Sequence, residues 1–162
     1  MSVLRNVLGA LGGDHHLLGK LQDGVTIAQF KNIPDKVLES IYALAYSHYQ
    51  SGNIQDAHDL FLYLSFHDHT NARFVAGFGA SCLKLGKYEQ AAQVLEQATE
   101  MDPNDPGPAL NLAHTWESLG QKDQARDALL VASNRASKDA QFQPIKNIAD
   151  SMMERMASTP GE

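Results

Sequence analysis

One cysteine, Cys82, is all the thiol this chain has, so it closes no internal disulfide, offers no cysteine-based metal site and suits a reducing compartment. Basic residues are scarce as well. Thirteen Lys and Arg stand against 19 Asp and Glu, a net charge of -6, and they never cluster, which argues against a nucleic-acid surface or a stable membrane association. Long apolar runs are missing: the opening MSVLRNVLGALGG is interrupted by Arg5, Asn6 and Gly9, a poor signal peptide and too short to span a bilayer. There is no phosphate loop, because the GFG at 77–79 falls inside a helical pattern where glycine serves close packing. Serine-nucleophile motifs are also lacking. What remains is an acidic chain of 162 residues, 43% hydrophobic, enough for one core or a short repeat array. It reads as an intracellular binding protein, with neither cofactor nor metal expected.

What is present is self-similarity at a fixed step. Gly52, Gly86 and Gly120 lie 34 residues apart, as do Ala57, Ala91 and Ala125, and Phe61, Leu95 and Leu129. Leu44, Phe78 and Leu112 keep the same register, with the small residues Ala45, Gly79 and Ala113 beside them. A 34-residue period is the mark of stacked helix pairs. In the second copy, ARFVAGFGASCLKLG has apolar residues at helical spacing and ends on Gly86, suited to the left-handed position beyond a helix. KYEQAAQVLEQATEMDP then begins a second helix, which Pro103 stops. Small residues at matching positions let the two backbones approach. The unit is similar to the tetratricopeptide repeat. The third copy looks looser, with Lys122 where Tyr88 and Ile54 stand and Ser137 in place of the proline.

The pattern predicts an all-α superhelical array of three tetratricopeptide-like helix pairs, with repeats at about 38–71, 72–105 and 106–139 inside a domain spanning 35–156. Residues 1–34 form an N-terminal helical segment, a possible dimerisation element, with Val3, Leu4, Val7, Leu8 and Leu11 as an amphipathic stretch. Phe142, Ile145, Ile148, Met152 and Met156 mark a capping helix over about 140–156. Residues 157–162 form a tail, and Pro34 opens the first repeat helix.

Tyr42, Tyr46 and Tyr49 are spaced four and three apart. At 100° per residue they centre roughly 115° from the core positions Ile41, Leu44, Ala45 and His48. First helices line the inner wall of a superhelix, so this second stripe should face a groove. The matching positions one repeat on are Ala76, Ala80 and Leu83, and two repeats on Leu110, His114 and Glu117. Large rings opposite small residues make pockets, and tyrosine adds a hydroxyl for a guest backbone. The competing reading is that the rings pack beneath LLGKLQDGVTIAQF as an ordinary core.

Other constellations are weaker. His67, Asp68 and His69, with His58 one helix earlier, superficially resemble a metal set, but residues two apart diverge on a helix and closed zinc sites want four converging ligands. A turn role for Asp68 fits better. His15 and His16 have no second pair. Cys82 falls on the core stripe. A carboxylate clamp of Lys, Asn and Arg is not present on the predicted wall, so a co-chaperone gripping an acidic C-terminus is disfavoured. Catalysis is not expected.

YALAYSHYQSG (42–52), DAH (56–58) and FHDHTNARFVAGFGASCLKLGKYEQA (66–91) resemble the class II type III secretion chaperones, the small acidic proteins that hold the hydrophobic translocators of Gram-negative bacteria before export. The resemblance covers residues 33 to about 156 and is most specific at Asp68 and His69, followed by Arg73, Phe74 and the Gly77, Gly79, Cys82 spacing. It implies a cytoplasmic bacterial protein whose concave groove takes an extended, proline-containing translocator segment, and a homodimer in several members. By position, Tyr42, Tyr46 and Tyr49 match the family's groove aromatics and Arg73 its arginine at the mouth of the second repeat. Trp116 and the bulky Tyr63 depart from the pattern. A scaffold binding another partner, such as a transcriptional regulator, is the alternative.

Overall fold

The computed structural model describes Lys20 and residues 24–158. The stretch from Val3 to Leu11, the pair His15 and His16, and the last four residues of the tail lie outside the described residues. Among the described residues the chain folds as eight α-helices and one 3-10 turn, with none of those helices long and apolar enough to cross a membrane.

A four-residue helix, α1 (Ile27–Phe30), opens on a capping box: the Gln29 backbone donates to the Thr26 hydroxyl at 3.2 Å, and the Gln29 side chain accepts from the Thr26 backbone at 2.9 Å. Three helix pairs follow: α2 (Asp35–Gln50) with α3 (Ile54–His67), α4 (Ala72–Lys84) with α5 (Tyr88–Met101), and α6 (Gly107–Ser118) with α7 (Lys122–Ala136). The turn at Ala140–Phe142 leads into α8 (Gln143–Ser158), which packs on α7. From α2 to α8 each helix packs chiefly on its neighbours in sequence, and α1 packs on α3, so the core is a continuous seam.

The turn inside each pair needs a residue that tolerates positive φ. Gly52, Gly86 and Gly120 supply it at 82°, 73° and 73°, where a side chain would be strained. Beyond the turn the pair closes on small residues. Ala45, Ala57, Ala91, Ala113 and Ala125 are fully buried, and a Cβ added to Gly79 would stand 2.7 Å from the Leu95 side chain. Phe61, Leu95 and Leu129 fill the space the small residues leave, each contributing about 1.5–3 kcal/mol through burial.

Three expectations need correction. The third pair is not looser: Gly120 turns at the same φ as Gly86, Ala113, Ala125 and Leu129 are fully buried, and Ser137 in αR conformation ends α7 without a proline. Leu44 is not core but 50% exposed, whereas its counterparts Phe78 and Leu112 are buried. Phe78 packs against His58 of the preceding pair, ring centroids 5.3 Å apart, and α2 has no preceding pair among the described residues. On α8, Ile148 is 46% exposed while Ala149 and Met152 are buried. The inward stripe there runs Ile145, Ala149, Met152, Met156, about one residue round from the pattern read in the sequence.

Candidate functional site

The first helices of the three pairs bound an open groove of about 420 Å³. Tyr42, Tyr46, Tyr49 and Gln50 of α2 form one wall, Ala76, Gly77 and Ala80 of α4 the centre, and Gly107, Pro108 and Asn111 of α6 the other wall, with Phe61, Arg73 and Asp105 completing it. No residue of α1 lines it, so the described part of the segment proposed to cover the rings does not do so.

The rings are held at graded depth. Tyr42 meets Phe61 edge-on at 5.8 Å and lies 5.7 Å from Phe74, geometries that aromatic quadrupoles favour. Tyr46 stacks on Tyr42 at 6.4 Å and stays 50% exposed. Burial pushes the Tyr42 phenol above its ordinary value, with Arg73 opposing and Tyr46, Glu39 and Asp105 adding; burial does the same for Tyr49, with Tyr46 adding. Both therefore stay protonated hydrogen-bond donors at neutral pH.

Arg73 stacks its guanidinium over Tyr42, 4.8 Å from the ring centroid, and pairs with Glu39. One side chain thus ties α2 to α4 and fixes the ring that anchors the groove. The opposite rim is set by the loop before α6: the Gly107 backbone donates to the Asp105 carboxylate at 2.8 Å. Arg135 of α7 donates to the Asp102 and Asp105 carbonyls at 3.1 and 3.2 Å.

Of the candidates, Tyr42, Tyr46, Tyr49, Arg73, Ala76 and Ala80 come together around this groove. Leu83, Leu110 and His114 do not line it. Leu110 is buried in the seam and Leu83 packs against that seam, while α6 lines the groove with Gly107, Pro108 and Asn111 instead. His114 lies further along the inner wall, where burial lowers its pKa, Glu117 opposes that, and Arg155 and Lys84 reinforce it. The 34-residue register marks Phe61 only as core, yet it lines the groove. The signal that it reaches the groove was Gly77: a Cβ there would stand 2.5 Å from the Phe61 ring.

His58, His67 and Asp68 are occupied elsewhere. Asp68 accepts from the Thr70 backbone and hydroxyl at 3.1 and 2.7 Å, an Asx turn between pairs. His67 stacks on Tyr63 at 3.9 Å, its Nδ1 2.9 Å from the Tyr63 carbonyl. Lys87 can only donate, so its contact with His58 Nε2 at 3.2 Å puts the ring proton on Nδ1, facing Asp59 at 3.1 Å. Cys82 is buried, and its thiol is pushed up to about 11 by burial, with Lys87 opposing.

Comparison with known proteins places this architecture. A tetratricopeptide-repeat family matches residues 83–147, and the family of anaphase-promoting complex, cyclosome, subunit 3 matches residues 34–98. Low calcium response locus protein H of Yersinia pestis is 31% identical over 134 residues, covering 83% of this chain and 80% of that protein. PcrH of Pseudomonas aeruginosa, solved in complex with the chaperone binding region of PopD, superposes with a TM-score of 0.75 at 32% identity, over 78% of this chain and 95% of that one. The type III secretion translocator chaperone SycD of Yersinia enterocolitica, solved as an alternative dimer, gives 0.73 at 30% identity, over 77% and 95%.

Proposed function

The chain belongs to the type III secretion translocator chaperones, and from that premise we infer that it binds an extended segment of hydrophobic translocator proteins in its concave groove, keeping them soluble and export-competent. The observation that carries the reading is the groove itself: half-exposed rings facing Ala76, Gly77 and Ala80, wide enough for apolar side chains to enter between them. An extended guest would lay alternate side chains into such a groove and meet the tyrosine hydroxyls with its backbone. A pocket of this size gives moderate affinity and ready release, which suits a client that must leave for export.

The role is binding, not catalysis; its support is that His58, His67 and Asp68 serve packing and turns, and that Cys82 is a buried, weakly acidic thiol. The bacterial cytoplasm is the compartment where a membrane-inserting client needs such shielding. A homodimer belongs to the same reading, supported by the exposed Val37 and Leu44 on one side of α2.

Co-expression with a hydrophobic translocator from the same bacterium tests the reading: the pair should co-purify and the client should stay soluble. Tyr42→Ala with Tyr46→Ala should weaken binding about tenfold or more with the fold intact by circular dichroism. A variant that melts early yet binds with unchanged affinity when folded would show the rings to be core.

A further inference from the structure

The two walls of the groove offer a guest different groups. The α2 wall is a row of rings, whereas the α6 wall carries Asn111, partly buried and lining the same cavity. One and two repeats earlier this register position holds Gly77 and Ala43, so it gains a hydrogen-bonding side chain only in the third pair. The main-chain carbonyl of Asn111 accepts from the Thr115 hydroxyl at 2.8 Å, but among the described residues its carboxamide donates to nothing and accepts from nothing. The charged groups of the groove are already engaged. Arg73 is paired with Glu39, and one Asp105 carboxylate oxygen holds the Gly107 N–H at 2.8 Å. A partly buried amide beside a floor of Ala76, Gly77 and Ala80 would be stripped of water by an arriving chain, which is costly unless that chain brings a partner for it.

Resting on the chaperone reading above, we propose that Asn111 grips the guest by its main chain, Oδ1 accepting the backbone N–H of one guest residue and Nδ2 donating to the carbonyl of that same residue. An extended residue shows these two groups side by side on one edge, as it does to a neighbouring strand, and a carboxamide carries the matching acceptor and donor in one plane. The width suits this. Neighbouring helix axes are about 10 Å apart, so α2 and α6 stand about 20 Å apart, and helices about 10 Å across leave about 10 Å between them. That is room for one extended strand bonded on both edges, since paired strands lie about 4.8 Å apart. The far edge is left to the tyrosine hydroxyls. Specificity follows from the main chain rather than from side-chain shape: the guest residue opposite Asn111 must keep its N–H, so proline is excluded at that one position. Its two neighbours turn their N–H groups to the other edge and escape the rule.

The test uses the full chain and overlapping fluorescein-labelled synthetic peptides tiled over a hydrophobic translocator from the same bacterium. In the peptide that binds, each backbone N–H is replaced in turn by N-methyl and binding is read by anisotropy. One methyl should weaken binding to the parent about threefold to tenfold and leave binding to Asn111→Leu unchanged, while methyls elsewhere act on both proteins alike. Asn111→Asp keeps the acceptor and should keep the sensitivity at that position. Asn111→Ala removes the amide without adding bulk and gives the same comparison should the leucine variant melt early. Tyr46→Ala should weaken every peptide. If each methyl costs the parent and the Asn111 variants equally while Tyr46→Ala still weakens binding, the main-chain grip is overturned and the groove stands. If no peptide binds, or binding ignores Tyr46→Ala as well, the chaperone reading falls and the grip with it.

Discussion

At the N-terminal end of the array, Val37 and Leu44 stand 44% and 50% exposed on the side of α2 where later first helices meet a preceding pair. At the C-terminal end α8 lies across α7, with its own Ala149 and Met152 buried. The same 34-residue register produces both ends. A repeat position therefore carries no burial of its own; its surroundings are set by which neighbour follows or precedes it, as the nearest-neighbour energetics of stacked repeats require.

The contrast can be broken most severely at the capped end. Leu129→Ala should cost about 2–5 kcal/mol in chemical denaturation, while Leu44→Ala, at the open end and at concentrations low enough to keep the chain monomeric, should stay within about 0.5 kcal/mol. Equal losses would mean that Leu44 is covered in solution. A smaller effect is expected at the groove's centre. Gly77→Val presses on the Phe61 ring and should cost about 2 kcal/mol, whereas Asn111→Val, one repeat on, should cost less because that position already carries a side chain.

His114 sharpens the comparison through pH. Its folded pKa is lowered from the ordinary 6.5, so the unfolded chain binds protons more readily as pH falls. The stability this contributes is complete above 6.5 and is lost as pH drops through the folded value. Thermal melts from pH 7 to 5 should therefore fall less steeply for His114→Gln than for the parent, and Tyr46→His added to His114→Gln, at the equivalent, half-exposed position, should not restore the parent's slope. The smallest effects belong to two Arg–Glu pairs between helices, Arg73 with Glu39 and Arg155 with Glu117. Glu39→Gln and Glu117→Gln should each cost about 0.5 kcal/mol or less, shrinking with salt.

The sequence made the fold class readable because glycine, alanine and large apolar residues recur for local reasons that every copy shares. The tyrosine wall was readable for the same reason, being one stripe on one helix. Stepping 34 residues from the tyrosines reaches Ala76 and Ala80 but also Leu83, Leu110 and His114, which do not line this groove, because the seam takes up Leu110 and Leu83. Leu44 and Ile148 were misread since end helices lack a neighbour that the periodicity assumes. Phe61 needed a contact between helices, visible only once Gly77 and the ring face each other.

The silence of Cys82 has a practical side. A thiol at 0% exposure with a pKa of about 11 reacts too slowly to compete with a surface thiolate. A cysteine introduced at the mouth of the groove would take up a maleimide dye alone, leaving the parent sequence otherwise intact and giving a single-colour reporter of guest arrival and departure.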